Sequence, residues 1–250
     1  MTTTLPKRLR NEPLLDAVFE CRFSAHLPVS NILPGIIFSE FDGEKKLERL
    51  PQFEIPEVIR KSDPKLQHAP LVRIRLQNYS ILIGDHSVAV ACSLPYKGWN
   101  EFKAIIIKTI GVLKNSTLVN KVVRYSIKYV DLIQSSDSVE QVSLANLSLK
   151  IGSHNLTGES YQVRMEIPVD EEIVNIVQII SGAKVNMPDK AGLEGVLVDI
   201  DTIKNTDDIS IEQLEDELDQ ALEHIHFVNK ETFFDCITEQ TLMKLEPEYE

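Results

Sequence analysis

A chain of 250 residues, 43% hydrophobic and 26% charged, carries enough apolar side chain for a sizeable core, which excludes a disordered tail or a low-complexity fibre. Its net charge of −12 is unevenly spread: residues 1–130 hold 19 Lys and Arg against 12 Asp and Glu, and residues 131–250 hold 7 against 26. Such a division gives the two halves different partners, or lets the acidic half neutralise part of the basic one. Cys21, Cys92 and Cys236 lie far apart with no CxxC pair, which speaks against a disulfide framework and a zinc knuckle. No apolar run approaches the about 18 residues of a membrane span, and the N-terminus lacks the apolar core of a signal peptide. A soluble cytoplasmic protein without a cofactor is the expectation.

Along the chain, Leu15, Ala17, Phe19, Cys21 and Phe23 alternate with mostly polar neighbours, which predicts an early strand with one apolar face. From His26 to Lys65, Pro28, Pro34, Pro51, Pro56 and Pro64 allow only short elements, with one helical turn after Pro56. Leu71–Leu76 and Tyr79–Cys92 predict two or three strands broken at Gly84-Asp85. Trp99, Phe102, Ile105 or Ile106, Ile110 and Leu113 recur at helical spacing, and Val119–Ile133 returns to alternation.

In the second half Tyr161–Ile167 alternates, Ile173–Ile180 reads as a buried strand or short helix, and Gly195–Thr202 as a strand. The stretch Gly182–Gly195 predicts a flexible loop. Ser210-Ile-Glu-Gln213 is a capping box opening a helix with Ile211, Leu214, Leu218, Leu222 and Ile225 on one face. A separate short helix is expected around Phe233, Phe234 and Ile237. The pattern predicts an α+β protein with mainly antiparallel strands. It divides into a basic half (1–150) and an acidic half (151–250), each a sheet followed by one long helix, so internal duplication is a reasonable hypothesis.

Three blocks carry a family resemblance. They are Asn11-x-Pro13-Leu14-x-x-Ala17-Val18-x-Glu20-x-Arg22-Phe23; Ser87 through Tyr96-x-Gly98-Trp99-x-x-Phe102 to Arg124-Tyr125 and Tyr129; and Leu197-x-Asp199-x-Asp201 with His224, Phe233 and Ile237-Thr238. Together they resemble a sporadically distributed bacterial family of uncharacterised cytoplasmic proteins. The resemblance implies a shared fold and the scattered distribution of mobile or defence-linked genes, and it transfers no catalytic residues.

Several constellations bear on chemistry. Asp199 and Asp201, two apart in a strand, point to one face and could hold a hard divalent cation, or simply form a solvated strand face. His224 and His226 diverge by roughly 200° around a helix and cannot chelate one ion together. Asp85-His86-Ser87 is no triad, because strand neighbours face opposite ways. Arg73, Arg75, Arg124 and Lys128 lie on the polar faces of their strands and would form one phosphate-binding patch if those strands neighbour each other; a solvated or acid-paired face is the plainer alternative.

The leading expectation is a non-enzymatic binding or regulatory protein of a multi-gene system, of antiphage-defence or toxin–antitoxin type. Its acidic helix, through Glu212, Glu215 and Asp219, would meet a protein partner from the same gene cluster. The alternatives are a nucleic-acid-binding or processing protein using the basic face, and a metal-dependent hydrolase at Asp199 and Asp201. Homo-oligomerisation through uncovered sheet edges is a further expectation.

Overall fold

Alternation sets the first long strand. After β1 (Arg8–Leu9), β2 (Leu14–Ala25) buries Ala17, Phe19, Cys21 and Phe23 on one side and leaves Val18, Glu20 and Arg22 half-buried on the other. The protein is described here by a computed structural model over residues 5–187 and 190–249. The proline-rich stretch yields only short pieces: α1 (Leu33–Glu40), β3 (Lys46–Arg49) and α2 (Glu57–Ser62), the last starting directly after Pro56. β4 (Val72–Arg75), β5 (Tyr79–Ile83) and β6 (Ser87–Cys92) follow, and β3 to β6 pair antiparallel in sequence order.

Gly98, at φ +94°, takes a backbone conformation closed to most side chains and turns the chain into α3 (Trp99–Asn115). Phe102, Ile106, Ile110 and Leu113 form its buried stripe, and the Phe102 ring stacks on Tyr79 with centroids 6.2 Å apart. α3 therefore covers the face of β5 that carries Tyr79, Ile81 and Ile83. β7 (Val119–Gln134) leads to α4 (Ser138–Leu144), whose N-cap Asp137 accepts the Val139 and Glu140 N–H groups.

The small strands β8 (Lys150–Ile151) and β9 (His154–Asn155) precede β10 (Gln162–Pro168), β11 (Ile173–Met187) and β12 (Lys190–Ile209). The chain ends in α5 (Ile211–Cys236), α6 (Glu239–Lys244) and β13 (Pro247–Glu248). The capping box closes as expected: the Ser210 N–H donates to Gln213 Oε1 at 2.9 Å and the Gln213 N–H to Ser210 Oγ at 3.2 Å. The fold is α+β with mainly antiparallel strands.

Two expectations are corrected. Residues 182–187 and 190–195 are strand rather than loop, while 188 and 189 of that stretch lie outside the described residues. Lys184 and Asn186 are solvated there, so the extended form shows little apolar alternation to reveal it. The separate helix around Phe233 is instead the last part of the 26-residue α5, because neither Gly nor Pro interrupts 211–236.

The chain forms two compact units: Met1–Leu15, Lys128–Thr202 and His226–Glu250 make the first, Asp16–Ile127 and Ile203–Ile225 the second. Residue 150, the expected boundary, lies inside the first unit, and β2, β7, β12 and α5 each contribute to both. In the first unit the strand order is β10-β11-β12-β7, and its core gathers Ile133, Leu144, Val177, Ile179, Val198, Phe233 and Ile237. A buried polar network fixes α5 on this sheet: Asn175 donates to Thr232 Oγ1 at 2.7 Å, Thr202 donates to Asn175 Oδ1 at 2.7 Å, and Asn229 donates to the Ile200 carbonyl at 3.0 Å. In the second unit the order is β12-β7-β2-β6-β5-β4-β3.

Within the first unit β12 crosses β7 so closely at Gly195 that a Cβ there would sit 2.1 Å from the Ile133 carbonyl oxygen. Gly195→Ala is therefore expected to lower stability by about 3 kcal/mol or to prevent folding. Urea unfolding of native and variant chains, compared at equal slope, measures the loss.

Candidate functional site

Cross-strand register in the second unit builds a continuous polar face. One row runs Glu20, Ala89, Leu82, Arg73, Glu48 across β2, β6, β5, β4 and β3; the next runs Val18, Ala91, Ser80, Arg75, Lys46. Residues of one row share a side of the sheet, opposite the side that Phe19, Cys21 and Tyr79 bury. Arg22, opposite Ser87, and Arg124 of β7 join the same face, for both reach Glu20 Oε2: the Arg22 Nε–H donates to it at 2.7 Å and Arg124 Nη2 lies 3.5 Å away.

Five cations (Arg22, Lys46, Arg73, Arg75, Arg124) thus share this side with three carboxylates, Glu20, Glu48 and, two residues before Val18 on β2, Asp16. Arg75 and Lys46 each lie 3.0 Å from a Glu48 oxygen. The hydrogen bond from Lys46, and behind it the charges of Arg75, Lys46 and Arg73, hold the Glu48 carboxyl below its usual range. Among the described residues Arg73 makes no ion pair. Small side chains, Ala89, Ala91 and Ser80, floor the space between the cations.

The strands carrying Arg73 and Arg124 are not neighbours. β5, β6 and β2 intervene, a spread of roughly 19 Å at the usual strand spacing. Lys128 belongs to the first unit, where its Nζ lies 2.8 Å from Asp199 Oδ2. The cation expected on the basic patch thus neutralises a carboxylate expected to hold a metal. Asp199 and Asp201 do share a side of β12, around buried Ile200, and among the described residues no group of three His, Cys, Asp or Glu side chains gathers.

The acidic helix is also engaged within the second unit. Lys103 Nζ lies 2.8 Å from Asp219 Oδ1 and 2.7 Å from Glu223 Oε1, Lys114 pairs with Glu215, and the Trp99 indole N–H donates to Glu223 at 3.1 Å. These hydrogen bonds, Asp219 first for Lys103 and Glu215 first for Lys114, raise both ammonium groups above their usual value. Glu212 binds its own N–H and the Ser210 hydroxyl, which lowers its carboxyl and caps α5.

Where β2 ends, a cleft of about 330 Å³ opens between Phe23, Arg60, Lys61, His68, Asp85 and His86. Asp85 is nearly buried and fully served: the Arg60 Nε–H donates to Oδ2 at 3.0 Å and Ser30 Oγ donates to Oδ1 at 2.6 Å. Arg60 also donates to the Ile55 carbonyl. Burial first, then the charge of Arg22, pushes the His68 imidazole below its usual value, and its Nδ1 lies 3.3 Å from the His86 carbonyl. Ser87 Oγ donates to the His68 carbonyl at 2.9 Å, so Asp85, His86 and Ser87 serve three separate contacts. This wall gives the cationic face a hydrogen-bonding corner that the sequence pattern did not reveal, since His68 and Arg60 come from the irregular stretch. Burial pushes the Cys236 thiol up to about 11 and raises Cys21 and Cys92 as well, which suits packing rather than nucleophilic roles. No helix among the described residues is long and apolar enough to cross a membrane.

No family model matches the chain, and no curated protein matches it.

Asp131, on the part of β7 in the first unit, is a strongly perturbed carboxylate: burial, with a smaller push from Glu12, moves it from 3.8 up to about 7. The folded chain then holds this proton more tightly than the unfolded one. Stability is expected to fall as pH rises from about 4 through about 7, by on the order of 4 kcal/mol in total. Asp131→Asn should flatten that part of the pH profile, as thermal unfolding between pH 4 and 8 would show.

Proposed function

We propose that the chain is a binding protein whose ligand is the phosphodiester backbone of a nucleic acid, held on the polar sheet face of the second unit. The observation that carries this reading is the excess of five cations over three carboxylates on one side of the sheet, with Ala89, Ala91, Ser80 and Leu82 between them. Guanidinium groups suit phosphate because they offer paired donors in a fixed plane, and four of the five cations are arginines. Arg73, with no ion pair among the described residues, is the first contact; Arg75, Arg22 and Arg124 would exchange a shared glutamate for phosphate oxygens.

Contacts of this kind position a chain without reading its bases, so recognition is of backbone and shape. The −12 net charge opposes any polyanion at long range, which makes the complex modest in affinity and strongly dependent on salt. The acidic helix supports a protein partner less well, because Glu215 and Asp219 already meet lysines. The role that fits is regulatory: a subunit of a multi-gene system that holds nucleic acid without transforming it.

Fluorescence anisotropy with labelled single- and double-stranded RNA and DNA tests the reading. Binding at low salt is expected, with log affinity falling against log salt by about 0.7 per single-strand phosphate contacted. The Arg73→Glu/Arg75→Glu variant should weaken binding at least about tenfold and reduce that slope by about 1.4. Absence of binding to all four ligands at low salt, or a variant that binds like the native chain, would remove the proposal.

A further inference from the structure

β10 closes one end of its strand order and, among the described residues, has β11 as its only sheet neighbour. The Val169 N–H donates to the Ile173 carbonyl at 2.9 Å and the Ser181 N–H to the Tyr161 carbonyl at 3.0 Å, so the odd-numbered residues turn their backbone groups toward β11. Gln162, Arg164 and Glu166 therefore direct N–H and C=O to the open edge, and Pro168 directs a carbonyl alone. The side chains divide in the same way. Val163, Met165 and Ile167 stand opposite Ile179, Val177 and Asn175, which are buried, yet Met165 is 52% and Ile167 39% exposed. The other side bears Arg164 and Glu166, 2.8 Å apart and solvated.

We propose that β10 pairs antiparallel with β10 of a second copy of this chain, about a twofold axis at Met165. Charge selects this register. The bonded pairs of a new ladder must join edge-facing residues, so the axis can lie at Arg164, Met165 or Glu166. An axis at Arg164 sets that residue against itself, and one at Glu166 does the same for the glutamate; both oppose like charges. An axis at Met165 sets Arg164 opposite Glu166 of the second copy, twice by symmetry. It also places Val163 opposite Ile167 and Met165 against Met165, on the side where apolar surface is left uncovered. Gln162 then donates to the Pro168 carbonyl, the one backbone group that proline can offer there.

The residues involved are solvated in the single chain, so their substitution leaves the core intact. Sedimentation of the native chain over a concentration series is expected to show a monomer–dimer equilibrium. Arg164→Glu alone, or Glu166→Arg alone, puts like charges opposite each other at both positions and should weaken self-association about tenfold or more. Mixing these two variants restores opposite charges, so a heterodimer should form, and the R164E/E166R double variant should dimerise like the native chain. A native chain that stays monomeric up to its solubility limit overturns the proposal. So does undiminished dimerisation of either single variant, or a mixture of the two that fails to associate.

Discussion

A strand can bury only every second side chain, and this period of two governs the second unit. Once Phe19, Cys21 and Phe23 commit one side of β2 to the core, Glu20 and Arg22 must face the other way, and the ladder passes that choice to each neighbour. β6 places Ala89 and Ala91 on that side, β5 Ser80 and Leu82, β4 Arg73 and Arg75. Cationic character on the open face is thus a by-product of packing Ile74, Ile81 and Val90 on the other. A slip of one residue in any of these pairings would bury a guanidinium and expose a core residue, so the register of the core and the layout of the candidate site are one and the same constraint.

The charge asymmetry of the sequence takes on a local meaning through α3 and α5. Lys103 and Lys114 come from the basic part of the chain and Glu215, Asp219 and Glu223 from the acidic part, yet they meet within the second unit. Pairs this exposed contribute modestly to stability. Their larger effect is on what remains: Lys103 and Lys114 are held by carboxylates of α5, while Arg22 and Arg124 share Glu20 and Arg75 meets Glu48. Burial of apolar side chains, rather than ion pairing, holds the helices down.

Local chemistry was legible in the sequence where one element carried its own signal. The alternation in β2, the stripe from Trp99 to Leu113 and the capping box at Ser210 each state a period or a cap, and each element stands where that signal put it. The long β11 and β12 were legible only in their apolar parts, because around Lys184 and Asn186 backbone pairing sustains the strand without help from burial. Strand order was not legible, since it depends on contacts between distant segments. Parity could assign Arg73, Arg75 and Arg124 to polar faces, but whether those faces coincide depends on three intervening strands. His68 gave no signal, for it reaches the cleft from a segment without periodicity, and the helical turn expected after Pro56 did not say that Arg60 would meet Asp85.

The interleaving of the two units has a consequence for how the protein is made. The first unit joins Met1–Leu15 to segments that begin at residues 128 and 226, and its β1 pairs with β13 through Arg8–Glu248 and Leu9–Pro247. During synthesis its earliest residues must wait, unpaired, for almost the latest. The second unit waits nearly as long for Ile203–Ile225, whose acidic residues Glu215 and Asp219 meet the lysines of α3. Neither unit can be completed on the nascent chain while α5 is still unmade, so both have many non-local contacts to close. A single break anywhere in the chain therefore leaves no fragment containing the first unit entire, and one between residues 16 and 225 divides the second as well.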